Sequence, residues 1–310
     1  MNAAVQQDDA MSDLRTVGRL LTESEHRLKG AGIEQPSLEA GWLLREVLRL
    51  SPLVARLEPE RDVTPSDWEA VGRLVTRRAE REPLQYLLGT QEFCGREFFV
   101  GPSVLIPRPE SALLVEEAVR RCCDNPTATI VDVGTGSGCL AVSVAAALPG
   151  ARVLAIDLSP EALAVARHNM AHHGVEAHIE CLCGDLLGPL QERGPELQVD
   201  VILSNPPYIA ETDWATLQPE VRQFEPRLAL AGGPDGMEVH RRLLREAPAC
   251  LKPGGLLLME IGLGQAPAIS REAEELGSFR LYDCLRDDAG IERVVCFALR
   301  DDGPSRVRGL

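Results

Sequence analysis

The sequence predicts an α/β protein: a mostly parallel sheet with helices on both faces and a final antiparallel strand, preceded by a small helical bundle. Three observations predict it. Strand-like runs alternate with helical patterns from Thr129 onward, a glycine-rich loop joins the first of those strands to the next helix, and residues 12–88 carry helical periodicity alone. The 310 residues suffice for two domains at about 100–200 residues each. Apolar residues are 45% and charged residues 25%, an ordinary globular balance that argues against disorder. The formal net charge of −15 weighs against a duplex nucleic acid as substrate. The longest apolar run, Leu140 to Leu148, is interrupted by Ser143 and falls short of the ~20 residues that span a bilayer. Met1 to Asp13 is polar and acidic, without the features of a secretion signal or presequence, so a cytoplasmic protein is expected, with no membrane partner.

Ser12 opens a helical pattern with Leu14, Val17, Leu20, Leu21 and Leu28 on one face, stopped by Gly30 and Gly32. A second helix runs from about Ser37 to Leu50 and is ended by Ser51-Pro52. A third begins at Thr64-Pro65, a capping Thr followed by Pro at the first helical position, and reaches about Ala79. Residues 1–88 therefore read as a helical bundle. Two short strands around Cys94-Gly95, followed by Pro102, Pro107 and Pro109, read as a β-hairpin and stiff linker over 89–110. Residues 111–310 read as the second domain. A helix over 110–122 leads into strands at 129–133, 152–156, 177–181, 199–203 and 256–261. Helices at 138–148, 160–173, 236–251 and 265–276 alternate with them, and 279–285 and 293–299 form a final strand pair.

The nine cysteines form no Cys-x-x-Cys pair, and His168 and His172 lack a partner set at zinc-ligand spacing. Free thiols, solvated histidines and no metal are expected.

Asp132-Val133-Gly134-Thr135-Gly136-Ser137-Gly138 follows a strand and opens a helix, where glycines allow a ligand to approach backbone N–H groups. Dinucleotide loops usually read Gly-x-Gly-x-x-Gly. Here the spacing is Gly-x-Gly-x-Gly, with Cys139 where the third dinucleotide glycine would lie, which favours a ligand without a pyrophosphate. Asp157 ends the next strand, where a carboxylate can accept both hydroxyls of a ribose. Asp185 follows the third strand, where an adenine is expected. Together these positions resemble the S-adenosylmethionine site of class I methyltransferases.

Ser204-Asn205-Pro206-Pro207-Tyr208 follows the fourth strand of the sheet, at the carboxyl end where doubly wound sheets bind ligands. The prolines stiffen the turn and offer no N–H. The Asn205 side-chain oxygen and the Pro206 carbonyl can each accept one hydrogen of a substrate NH₂, and Tyr208 offers a flat face to the planar group that bears it. An amide nitrogen is a poor nucleophile because its lone pair is delocalised. Two acceptors orient it and stabilise the positive charge that develops as a methyl arrives.

These segments resemble the release factor glutamine methyltransferase family, over nearly the whole chain. The resemblance is carried by Pro83 to Gly89, Leu105-Ile106-Pro107-Arg108-Pro109-Glu110, Asp132 to Gly138, Asn205 to Tyr208, Phe224-Glu225-Pro226-Arg227, Glu260-Ile261-Gly262 and Arg293-Val294-Val295. It implies a Rossmann-like class I methyltransferase domain behind a release factor-recognising bundle. Gly134, Thr135, Gly136, Ser137, Gly138, Asp157, Leu186 and Asn205 would line S-adenosylmethionine. Asn205, Pro206, Pro207 and Tyr208 would hold the glutamine of a Gly-Gly-Gln segment in a class 1 peptide chain release factor, acted on by a monomer that touches no nucleic acid. Two positions depart from the family's pattern: Ser111-Ala112 stands where Thr-Glu is frequent, and Leu186 where some relatives carry an aromatic. An N6-adenine methyltransferase acting on DNA or RNA would use the same acceptor pair, and a non-catalytic adaptor would keep the cofactor pocket alone. Arg73, Arg77, Arg78 and Arg81 either face an acidic partner or form a solvated helix face.

Overall fold

A computed structural model describes residues 15–300. The chain runs α1 (Val17–Gly30), α2 (Pro36–Leu48), α3 (Pro52–Leu57), α4 (Pro65–Ala79), α5 (Leu84–Leu88), β1 (Thr90–Phe93), β2 (Arg96–Phe99), α6 (Ala112–Cys122), β3 (Thr129–Val133), α7 (Cys139–Ala147), β4 (Arg152–Asp157), α8 (Pro160–His172), β5 (Ile179–Cys183), α9 (Gly188–Gln191), β6 (Val199–Ser204), α10 (Pro219–Phe224), α11 (Glu238–Glu246), β7 (Leu251–Glu260), α12 (Ala266–Leu276), β8 (Phe279–Arg286) and β9 (Glu292–Leu299). The part of the first predicted helix that precedes Arg15 lies outside the described residues. Among those residues no helix is long and apolar enough to cross a membrane. All nine cysteines are free thiols.

Two compact units form. Among the described residues, one holds 15–89 together with Pro219–Phe224; the other holds Thr90–Gln218 and residues 225–300. The hairpin and proline segment, expected as a separate linker over 89–110, thus belong to the larger unit from Thr90 onward, and α10, expected in the second domain, belongs to the smaller.

In the smaller unit α1–α5 enclose a core of Val17, Leu20, Leu28, Leu43, Leu44, Val71 and Val75. Thr64 caps α4 as its sequence predicts, its hydroxyl accepting from the Asp67 N–H at 3.2 Å. Ser51-Pro52 behaves differently from the expectation. It starts α3, with Ser51 as cap and Pro52 at the first helical position: a capping Ser before Pro reads equally as an ending or a beginning. The arginines of α4 and its C-terminal turn are mostly engaged within the unit. Arg78 is buried, with Nε 2.5 Å from Glu39 and Nη1 3.0 Å from Glu220, while Arg81 Nη2 donates to Glu220 at 2.7 Å and Arg77 pairs with Glu82. The basic face expected at Arg73, Arg77, Arg78 and Arg81 is therefore reduced to the exposed Arg73 and Arg77, the latter paired with Glu82; Arg78 and Arg81 hold the bundle and α10 together. Removing one member of such a buried set leaves charges without partners. Arg78→Ala is expected to cost about 3 kcal/mol of stability, measured as a lower urea midpoint; an unchanged midpoint would show that the network holds nothing.

The larger unit contains the β1–β2 hairpin and a seven-stranded sheet of order β5-β4-β3-β6-β7-β9-β8. Strands β3 to β7 are parallel, and β9 runs antiparallel to both β7 and β8. Helices α6, α7 and α8 cover one face, and α9, α11 and α12 the other. Being buried on both sides, the central strands read as continuous apolar runs. Strand β7 begins at Leu251, so Lys252-Pro253-Gly254-Gly255, expected to break a helix, lies inside a strand. Strand β5 lies two residues later than predicted.

Register places the chemistry. Val133 pairs with Ile156 on β4 and with Ser204 on β6, and Ser204 pairs with Met259 on β7; Asp157 pairs with Cys183 on β5. The residues Asp185, Asp157, Gly134, Asn205 and Glu260 therefore follow one another along the carboxyl edge of the sheet. This edge contains the point where strand order reverses, between β3 and β6.

Candidate active site

The glycine loop is held in place from four directions. Gly134, Gly136 and Gly138 all adopt the left-handed region, at φ of 73°, 54° and 80°, which L side chains rarely enter. The N–H groups of Gly134 and Thr135 both donate to the Ile156 carbonyl at 2.9 Å. The buried Asp132 accepts from the Thr135 hydroxyl at 2.6 Å and from the Ala141 N–H at 3.2 Å. Burial pushes its carboxyl up to about 7, against the pull of those hydrogen bonds. Asn169, fully buried on α8, donates to the Ser137 carbonyl at 2.8 Å and exchanges hydrogen bonds with the Phe99 backbone, tying hairpin, helix and loop together.

Asp157 fixes the loop's other side. One carboxylate oxygen accepts from the Gly136 N–H at 2.8 Å and the other from the Ser159 N–H at 2.9 Å. Each oxygen keeps a lone pair for a ligand hydroxyl.

A cavity of about 430 Å³ opens beside these groups. Of the residues predicted for the cofactor, Gly134, Thr135, Gly136, Ser137, Asp157, Asp185, Leu186 and Asn205 line it. Gly138 does not: a Cβ there would lie 3.2 Å from Ala166, so its role is close packing of the loop against α8. At Gly134, by contrast, a Cβ would meet nothing within 4 Å, and at Gly136 only the Gly134 carbonyl at 4.0 Å. Asp185 is turned to a salt bridge with Arg242 at 2.9 Å, and Leu186 holds φ of 46°, a strained backbone for a leucine. Leu140, Ile156, Leu158 and Leu186 supply apolar walls. Apolar walls, two carboxylate acceptors and an open glycine cradle fit a nucleoside such as that of S-adenosylmethionine.

The turn after β6 presents Asn205 and Pro207 to this cavity; Pro206 is buried and, like Tyr208, does not line it. Tyr208 is positioned from behind, its carbonyl accepting from Gln265 Nε2 at 3.1 Å and its hydroxyl donating to Glu260 at 3.3 Å. Burial raises the Tyr208 phenol well above its ordinary value, so it stays a donor. Ser111 also borders the cavity; its hydroxyl accepts from Asn205 Nδ2 at 3.0 Å and donates to Glu260 at 2.5 Å.

Two segments singled out in the sequence meet here. Glu225 of Phe-Glu-Pro-Arg is buried, accepting from the Arg108 guanidinium at 2.5 Å and from the Ile106 N–H at 3.1 Å. It thereby pins Leu-Ile-Pro-Arg, whose Leu105, Pro107 and Arg108 line the cavity. Glu225, Ser111, Asn169 and the side chain of Glu260 were not foreseen as site residues. Each acts through a partner at least 52 positions away in sequence, which local spacing cannot reveal.

Comparisons with known proteins agree along the chain. Residues 19–89 match the family model of the PrmC N-terminal domain, and residues 109–223 that of the methyltransferase small domain. A release factor glutamine methyltransferase of Geobacter sulfurreducens is 42% identical over 91% of this chain and 96% of its own. One from Moorella thermoacetica is 44% identical over 91% and 97%. The solved release factor-specific protein-(glutamine-N5) methyltransferase of Alicyclobacillus acidocaldarius is 34% identical, covering 66% of this chain and 99% of that one, with a TM-score of 0.41.

Proposed function

The chain belongs to the release factor glutamine methyltransferase family and is a protein-glutamine methyltransferase; from that premise we propose that it methylates the side-chain amide nitrogen of the Gln in the Gly-Gly-Gln segment of class 1 peptide chain release factors, with S-adenosylmethionine as donor. When bound, that cofactor supplies a methyl group already activated by a sulfonium. Asp157 would accept the ribose hydroxyls, and the open glycines Gly134 and Gly136 would receive the chain beyond the ribose. Asp185 and Leu186, which line the same cavity, would border the base. Asn205 Oδ1 and the Pro206 carbonyl each accept one hydrogen of the substrate amide, while Pro207 and Tyr208 pack beside it. The two acceptors turn the nitrogen toward the methyl and stabilise its growing positive charge.

The observation that carries this reading is the strand register, which brings Gly134, Asp157 and Asn205 to adjacent strand ends. The enzyme acts as a monomer in the cytoplasm, on a protein and not directly on nucleic acid, and modulates translation termination. Mass spectrometry of a release factor incubated with the protein and labelled cofactor tests it. A methyl on the Gly-Gly-Gln glutamine is expected. Label entering DNA or RNA instead would favour the N6-adenine reading, and no transfer at all would favour an adaptor.

A further inference from the structure

An amide side chain has two ends of nearly equal size and opposite polarity. If Asn205 turned over, it would present NH₂ to the substrate's NH₂, and only the Pro206 carbonyl would still accept. What fixes its orientation is therefore part of the site. Its Nδ2 donates to Ser111 Oγ at 3.0 Å, but a hydroxyl is both donor and acceptor and selects neither end by itself. The Ser111 proton is taken by Glu260 Oε2 at 2.5 Å, which leaves Oγ as an acceptor. The other oxygen of the same carboxylate accepts from the Tyr208 hydroxyl at 3.3 Å.

We infer that Ser111 and Glu260 are positioning residues for methyl transfer: the Glu260 carboxylate sets the direction of the relay Asn205–Ser111–Glu260 and so keeps Asn205 Oδ1 facing the substrate amide. The inference rests on the proposed role of Asn205. The relay also polarises the Asn205 amide, since a donor bonded toward a carboxylate strengthens the carbonyl at its other end. Glu260 reaches this position by strand alternation: it shares the face of Leu256 and Leu258, whose core includes Leu114, Val115 and Ala118 of α6. Ser111 directly precedes that helix.

Protonating Glu260 lets it donate to Ser111, which frees the hydroxyl hydrogen to turn toward Asn205 and removes the selection. Burial pushes the Glu260 carboxyl up to about 7, against the pull of the Ser111 and Tyr208 hydroxyls. Glu110 raises it further, and Arg293, held at 2.8 Å by Asp287, opposes. His240 Nε2 donates to the Glu260 backbone carbonyl at 2.8 Å, but burial keeps that ring neutral, its pKa pushed down to about 4. The carboxylate is the form present above the transition. Turnover therefore falls as pH drops through about 7.

The test measures kcat, KM and cofactor Kd for wild type, Ser111→Ala, Glu260→Gln and the double variant across that range. Ser111→Ala is expected to lower kcat about tenfold with KM and cofactor Kd within about twofold. Glu260→Gln loses the acidic limb, and the double variant is no slower than Ser111→Ala, as members of one relay require. An acidic limb that survives in Glu260→Gln assigns it to another group, Asp132 foremost, and overturns the inference, as does an additive double variant. If wild type transfers no methyl to glutamine, the functional reading falls, and the relay is decided separately by NMR. The Asn205 side-chain amide signals should titrate near neutral pH in wild type and stay flat in Glu260→Gln; signals that do not titrate in wild type would end it.

Discussion

Asn205→Ala is expected to lower kcat for glutamine methylation by about 10²–10³-fold, the usual cost of removing one preorganised group that stabilises transition-state charge. The loss should fall on kcat more than on KM. The acceptor matters most once the nitrogen carries positive charge, and a neutral amide hydrogen bond contributes only about 0.5–1.5 kcal/mol to the ground state. Asn205 lies just past the last residue of β6, Ser204, ahead of two prolines, so the truncation is expected to leave β6 and its register intact. Asn205→Asp separates geometry from charge. It keeps an acceptor toward the cavity but replaces the donor facing Ser111 with a second acceptor. Rates within about twofold of wild type for Asn205→Ala, measured in single-turnover assays, would remove the residue from the chemistry.

Asp157→Ala is expected to weaken S-adenosylmethionine binding by about 10–100-fold, from about 1.5–3 kcal/mol of hydrogen bonds to a charged acceptor. Two effects combine. The ribose loses its acceptors, and the Gly136 and Ser159 N–H groups lose the carboxylate that fixes the loop. Asp157→Asn should not rescue it. An amide has one acceptor end, and two backbone donors approach from opposite sides, so its NH₂ would meet one of them. Calorimetry with the cofactor alone reads this directly; affinity within about twofold of wild type would exclude Asp157 from the site.

Much of the fold was legible in the sequence because its signals are local. Thr129–Val133 is a strand as read, the Gly-x-Gly-x-Gly loop follows it, and Thr64-Pro65 starts a helix. Local signals failed where one dipeptide serves two ends, as at Ser51-Pro52, or where sheet neighbours extend a strand through Pro253-Gly254-Gly255. They also failed where a charge finds its partner across the fold. Arg78 looked like a surface cation and is buried between Glu39 and Glu220. In the site, Asn205 and Asp157 were visible because one directly follows a strand and the other ends one. Ser111 and Glu260 were not, because their meaning lies in a chain of hydrogen bonds spanning three separate segments.

The grip of the Asn205–Tyr208 turn on an NH₂ group is tested most directly by a crystal structure with S-adenosylhomocysteine and a Gly-Gly-Gln peptide. The glutamine nitrogen should lie within hydrogen-bond distance of both Asn205 Oδ1 and the Pro206 carbonyl, facing the sulfur across the cavity. A glutamine held by its carbonyl end, or seated away from this turn, would contradict it.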